Sequence, residues 1–438
     1  MIILVFFPAI LAFAQTNTGI DVSSFNSVDL NNVNATREEI TNANETYHRQ
    51  LLQQDPQWDQ KRAVYEQQLQ NFIASKRNNP SVQSTITIPV VVHIIYNTAI
   101  QNIPDSQIYS QILVLNEDFS RTNPDTVNTP APFAAVAGNP HIQFCLAQQD
   151  PNGLPTSGIE RRATSITMFT GLDHPQLYSG GGMNQWDPTR YFNIWVCNSI
   201  YTGLGEFPAT TTTSTYGAII LFSSFGSNHT IYGTFPALTT GDDWGRIATH
   251  EIGHCFNLYH IWGDDANACT GTDFCSDTPN QAGQSGFSCT NAFPHFDSCS
   301  PTGNGIMFEN YMDYTYGGCK NLFTQEQSAR INAVLGMAPY NALATSPGCQ
   351  APSGTQEFSL SSVTIFPNPF TSSVKFEFPR DLQNAELKLY DVLGNEIRDI
   401  DFSGKQFSIQ RGELSDGVYL YQVISEGKIV LSGKLLAE

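Results

Sequence analysis

The stretch His250-Glu251-Ile252-Gly253-His254-Cys255-Phe256-Asn257-Leu258-Tyr259-His260 limits the folds open to this chain more than any other. Two histidines four apart share one face of a helix with Glu251 beside them, so a buried helix must turn its polar edge toward a single point. His260 reaches that point only if the chain doubles back after His254. Asn257 stands where such a turn needs φ > 0, and asparagine is the non-glycine residue most at ease there. Three imidazoles suit one zinc ion and leave it an open position, where water is acidified toward neutral pH and Glu251 serves as general base. Chance places this spacing in on the order of one such chain in ten thousand. The residues therefore point to a hydrolytic zinc site. The rival from another class is a surface adhesin or binding module with a structural zinc, and Glu251 argues against it because such a site needs no base.

Composition narrows the rest. At 438 residues the chain exceeds what one compact core serves, so two or three units are expected. A formal charge of −19, with 21 basic residues against 40 acidic ones, argues against nucleic acid or an anionic membrane as partner. Residues 2–13 are almost wholly apolar and close on Ala12-Phe13-Ala14, the pattern of a signal peptide cut after Ala14. That run is too short for a bilayer span of about 20 residues, and no later run approaches that length. An exported chain meets oxidising surroundings, where the 9 cysteines, absent from 1–144 and dense over 269–319, read as disulfides pinning a loop-rich stretch. Spacing alone leaves their pairing open. The odd count leaves at least one thiol free, and Cys255, between the histidines, is the buried candidate.

Residues 15–84 are polar, with a helical stretch over 37–76 and a basic-polar break at Lys76-Arg77-Asn78-Asn79-Pro80, and we read them as a removable pro-segment. A folded domain is expected over 85–342, with a strand at 87–96, an amphipathic helix at 105–119, strands at 142–147, 191–196 and 217–222, and the histidine helix at 244–257. Residues 343–359 have linker composition. Over 360–438, short alternating strands near 363–366, 374–378, 387–390, 407–409, 419–423 and 429–432 predict a small antiparallel β-sandwich. The fold class is thus α+β followed by an all-β unit.

Downstream of the histidines lies Asn310-Tyr311-Met312-Asp313-Tyr314. With the histidine motif it resembles the Met-turn of the metzincins, in which a methionine packs beneath the metal. Met312 takes that position, and Tyr314 matches the tyrosine that several metzincin families use to hold the oxyanion. Ordered agreement over 88–93, 144–147, 150–153, 193–197, 250–264, 277–279 and 310–324 is closest to the bacterial pappalysins. The resemblance implies a zinc endopeptidase acting on protein or peptide substrates and made as a zymogen. Its cleft would lie between an upper mixed α/β subdomain, with the zinc helix at its base, and a lower irregular one. It further implies disulfides Cys269 to Cys299 and Cys289 to Cys319, and a calcium ion near Asp273, Ser276 and Thr278. Relatives that prefer arginine carry an acid just before the cysteine matching Cys319, where this chain has Gly318, so the resemblance does not extend to that preference. The tail, with Phe366-Pro367-Asn368-Pro369, Leu389-Tyr390-Asp391-Val392-Leu393-Gly394 and Leu414-Ser415-Asp416-Gly417-Val418-Tyr419, resembles the C-terminal sorting domain of the type IX secretion system of Bacteroidetes. It implies passage through that machinery to the exterior or the outer cell surface.

Overall fold

The computed structural model describes residues 14–16, 51–53, 55–77, 84–170, 174–264, 268–285, 293–352, 363–392, 394–425 and 428–438. The expected signal peptide up to residue 13, the stretch 17–50 and Cys289 lie outside them. The chain divides into two compact units, 1–351 and 352–438.

The first unit is built on a seven-stranded sheet. Its strands are β1 (Ala14–Thr16), β2 (Ile86–Tyr96), β3 (Ile142–Leu146), β4 (Ile159–Ala163), β5 (Phe192–Cys197), β6 (Tyr201–Gly205) and β7 (Ala218–Leu221). The order is β1-β6-β7-β5-β2-β3, with β4 also pairing β2. β2 is rich in Val and Ile and buried along most of its length, as a strand covered on both faces must be. β3, β4 and β5 run parallel to β2, and β7 runs parallel to β5. β6 returns antiparallel, so the direction of the sheet reverses next to the histidine helix.

Among the described residues the longer helices of this unit are α1 (Trp58–Arg77), α2 (Asp105–Phe119), α3 (Arg246–Cys255) and α4 (Gln325–Leu335). The histidine helix is shorter than the expected 244–257. Gly245 has φ 75° and so cannot be a helical residue, and Asn257 has φ 67°, which ends the helix where its ligand geometry requires a turn. α2 has the expected bounds. β4, β6 and α4 were not expected. Charge masks alternation in Ile-Glu-Arg-Arg-Ala, two glycines interrupt β6, and α4 sits in a cystine-rich stretch, announced only by its Thr324 cap, which accepts from the Gln327 N–H. α1, part of the stretch read as a pro-segment, is not peripheral. Its Tyr65 and Leu69 are fully buried in the same core as β2, α3 and α4.

The disulfide Cys269–Cys299 pins the irregular stretch as the resemblance implied. Cys319 is also disulfide-bonded. A bond left open by spacing joins Cys145 at the end of β3 to Cys349, so the first unit runs past residue 342 into the stretch expected to be a linker. Cys197, Cys255 and Cys275 are free and buried.

The second unit is a five-stranded antiparallel sheet of β8 (Thr364–Phe366), β9 (Ser373–Tyr390), β10 (Glu396–Gln410), β11 (Gly417–Ser425) and β12 (Lys428–Ala437). The short strands expected at 374–378 and 387–390 are one long strand, β9, whose register shifts between Glu377 and Ala385. Such irregularities bend a strand. Val374, Phe376 and Phe378 before the break and Leu387 and Leu389 after it enter one core, consistent with a sandwich.

Candidate metal centre

All ten residues of α3 are buried, so its polar edge cannot face solvent and must be satisfied internally. His254 Nε2 lies 3.0 Å from His250 Nε2 and 3.2 Å from His260 Nε2. The Nδ1 atoms face acceptors: the Tyr311 carbonyl at 2.7 Å from His250, the Leu258 carbonyl at 2.8 Å from His254, and the Asp264 carboxylate at 2.9 Å from His260. Each Nδ1–H is thereby engaged and three Nε2 lone pairs are left aimed at one point, the arrangement a zinc ion requires of histidine ligands. Burial, then the neighbouring imidazoles, hold His250 and His254 well below the usual histidine range, which keeps them neutral donors. Among the described residues no other group of His, Cys, Asp or Glu converges in this way.

Glu251 is fully buried and neither carboxylate oxygen has a hydrogen-bond partner. Burial pushes its carboxyl well up, opposed chiefly by the charge of Lys320. Room for it comes from β6: a Cβ on Gly203 would lie 2.5 Å from Glu251 Oε1, and one on Gly205 would lie 2.2 Å from its carbonyl oxygen. The two glycines that hide β6 from a strand reading are what lets it lie against α3. Gly253 has a matching role. A Cβ there would meet the Met312 sulfur at 2.6 Å, so the fully buried Met312 packs directly on α3. The Tyr314 ring is centred 5.5 Å from that of His250 and 4.9 Å from that of His260, at the edge of the point where the histidines converge. Asp264 and Trp262, whose indole stacks on His260 at 4.2 Å, were not singled out by sequence reasoning. The spacing of Asp264, four residues past His260, was the available signal for one of them.

Each end of α3 is held by a buried arginine. At its start Arg246 pairs with Asp118 at 2.9 Å and with Asp125 at 3.1 Å. Asp118 also accepts from Thr249 at 2.7 Å and from the Tyr311 hydroxyl at 2.8 Å, which ties α2, α3 and the Met312 turn together. At its end, the carbonyl of Asn257 accepts from Arg330 at 3.0 Å, and the side chain of Asn257 lies between α1 residues, accepting from Arg62 at 2.9 Å and donating to Glu66 at 2.7 Å. Glu66 in turn binds both terminal nitrogens of Arg330, at 3.0 and 2.8 Å. The residue that turns His260 back toward the histidine pair is therefore held by α1 and α4.

The residues singled out for calcium are only partly brought together. Thr278 donates to Asp273 at 2.8 Å, whereas the hydroxyl of Ser276 points to Glu326 at 3.0 Å. Burial raises the Asp273 carboxyl to about 7. Gly318 lies against Trp244, whose indole would be 2.9 Å from any added Cβ.

Similarity to known proteins agrees with this geometry. A family profile for M43 peptidases, described as pregnancy-associated plasma protein-A, matches residues 182–336, and one described as a secretion system C-terminal sorting domain matches residues 364–438. Mature mirolysin of Tannerella forsythia, solved with a cleaved peptide, is 44% identical, covers 62% of this chain and 100% of its own, and has a TM-score of 0.58. A variant of Tannerella forsythia promirolysin is 42% identical, covers 70% of this chain and 97% of its own, and has a TM-score of 0.61. An extracellular metalloprotease of Arthroderma otae is 28% identical over 251 residues, covering 56% of this chain and 76% of its own length. The sorting-domain match marks the chain for export. With a histidine triad ready for zinc and near-complete coverage of solved relatives, the chain belongs to the pappalysin family of metallopeptidases.

Proposed function

We propose that the chain is an exported zinc endopeptidase in which His250, His254 and His260 hold the metal, Glu251 is the general base, Tyr314 steadies the oxyanion and Met312 supports the site from below. The observation that carries this reading is the pairing of three Nε2 atoms aimed at one point with a buried carboxylate that bonds to nothing. Zinc bound there supplies a polarising centre and lowers the pKa of water. Glu251, with both oxygens unengaged, takes the proton of an attacking water and passes it to the leaving amine. The Tyr314 hydroxyl, beside the triad, donates to the oxygen on which charge develops. A structural zinc in an adhesin would leave Glu251 as an uncompensated buried carboxyl with no task.

We further read residues 15–84 as a pro-segment and the chain as a zymogen. β1 pairs antiparallel with β6, Gln15 opposite the Gly203 that touches Glu251, which is where an extended substrate would add a strand. The promirolysin match also spans more of this chain than the mature one, 70% against 62%. Residues 85–342 would carry catalysis, with 343–359 as connection and 360–438 as the sorting unit for the type IX machinery. Asp273, with Ser276 and Thr278, remains our assignment for calcium, tested by whether EGTA lowers the melting temperature at constant zinc.

Digestion of a proteome-derived peptide library tests the main reading. Cleavage should vanish with a zinc chelator, return on zinc addition, and fall about 10²–10⁴-fold in Glu251→Ala. A folded, zinc-loaded protein that cleaves nothing after removal of residues upstream of 85 would sink it.

A further inference from the structure

The three histidines are not held alike. His250 and His254 stand on α3, where the helix fixes their backbones and each Nδ1–H meets a backbone carbonyl, that of Tyr311 at 2.7 Å and that of Leu258 at 2.8 Å. His260 lies beyond the helix end, past the turn at Asn257, and belongs to no helix or strand. Its ring has to be aimed by other means. Its Nδ1 faces both oxygens of the Asp264 carboxylate, at 2.9 and 3.1 Å. Among the described residues, His260 is the one member of the triad whose Nδ1 faces a carboxylate.

The backbone is bent to bring that carboxylate there. Gly263 and Asp264 are both left-handed, with φ 67° and 51°. Glycine adopts that conformation freely, whereas aspartate does so at a cost that its surroundings must offset. The turn is wedged in place. The Gly263 N–H donates to the His260 carbonyl at 3.0 Å, and a Cβ on Gly263 would lie 2.4 Å from the Thr272 nitrogen and 2.5 Å from the Gly271 carbonyl carbon. That neighbouring stretch is itself pinned by Cys269–Cys299. Asp264 is no part of the core: its side chain is 21% exposed, and His260 is its sole partner among the described residues. Trp262, between the two in sequence, lays its indole on the His260 ring at 4.2 Å with an angle of 11° between the planes, and packs edge-on against Tyr314 at 5.0 Å. The stack fixes the plane of the imidazole, and the carboxylate fixes which edge of it turns inward.

We propose that Asp264 is a positioning residue for zinc: it holds His260 as the Nδ1–H tautomer, keeps Nε2 turned toward His250 and His254, and makes His260 the strongest donor of the three. The inference rests on the zinc reading of the triad. A carboxylate bonded to one nitrogen of an imidazole raises the basicity of the other, and such a charge-assisted bond is roughly twice as strong as one to a neutral acceptor. For His260 the carboxylate supplies the orientation that α3 supplies to His250 and His254.

The test reads zinc binding and not peptide cleavage, on the full-length chain stripped of metal and titrated with zinc against a chromogenic chelator. Asp264→Ala should weaken zinc binding about 10–100-fold. Asp264→Asn, which keeps an acceptor oxygen and tolerates the left-handed backbone but carries no charge, should fall between that variant and wild type. Both should melt, metal-free, within about 4 °C of wild type. Zinc affinity within about twofold of wild type in both variants would overturn the proposal. So would a fall in metal-free melting temperature large enough to account for the weaker binding, because Asp264 would then hold the fold and not the ligand. If Asp264→Ala does not fold, Asp264→Asn decides alone, a loss above about twofold supporting the proposal and a smaller one overturning it. A wild-type chain that binds zinc and cuts no peptide counts against the peptidase reading and leaves the affinity comparison standing, whereas one that binds no zinc overturns both.

Discussion

The two ends of α3 are held by similar chemistry drawn from different parts of the chain. At the start, Arg246 is answered by Asp118 and Asp125, and every participant lies between α2 and the Met312 turn. At the end, Arg330 is answered by Glu66, and Asn257 is gripped by Arg62 and Glu66, so half of the network belongs to α1. If α1 leaves with the pro-segment, the front of the helix is unchanged, while the turn that aims His260 loses Arg62 and Glu66 from its side chain and keeps only Arg330 on its carbonyl. On the pro-segment reading proposed above, the front network belongs to the lasting fold and the rear one to the precursor. Buried ion pairs add little net stability when complete, but removing one partner strands the other. On that reading the rear network makes precursor stability depend on a segment that activation would remove.

This comparison can be broken most directly at the front. Asp118→Ala would leave Arg246 without its buried partner and Thr249 and Tyr311 without an acceptor, with an expected loss of about 3–5 kcal/mol in denaturant unfolding, whether or not residues upstream of 84 are attached. Glu66→Ala should cost a similar ~3–5 kcal/mol in the full chain, since Arg330 is 2% exposed, but nothing once the chain has been cut between α1 and β2. Equal losses in both forms would show that α1 stays bound after cleavage. Asn257→Gly should change sign between the two forms. In the full chain it forfeits bonds to Arg62 and Glu66, a loss of about 1–3 kcal/mol, while in the cut chain relief of φ 67° makes it neutral or up to ~1 kcal/mol stabilising. The smallest effect is expected for Arg161→Ala, whose pair with Asp105 is partly exposed, with a change within about 1 kcal/mol in either form.

The zinc site was legible because its parts sit on one short stretch. His250, His254 and Glu251 share a helix face and Asn257 forces the turn, so sequence neighbours dictate where the ligands point. β2 and α2 were legible for the same reason, through periodicity. β6 was not, because Gly203 and Gly205 carry no side chains to alternate, and their purpose appears only when Glu251 is packed against them. The Ser276 assignment separated from Asp273 because Glu326, from α4, draws its hydroxyl away. The two short strands expected in the tail became one because a bulge, unlike a turn, leaves no break in composition.

The sequence by itself determined the histidine triad, the carboxyl beside it, the methionine packed on their helix and the export signal in the tail, since each is written in residues a few positions apart and constrained by local geometry. Tertiary structure alone decided that Glu66 answers Arg330 across 264 residues and that Cys145 bonds Cys349 across 204. Those pairings follow from how the sheet and helices stack, and a buried charge carries no mark in the sequence of the partner that packing will bring to it.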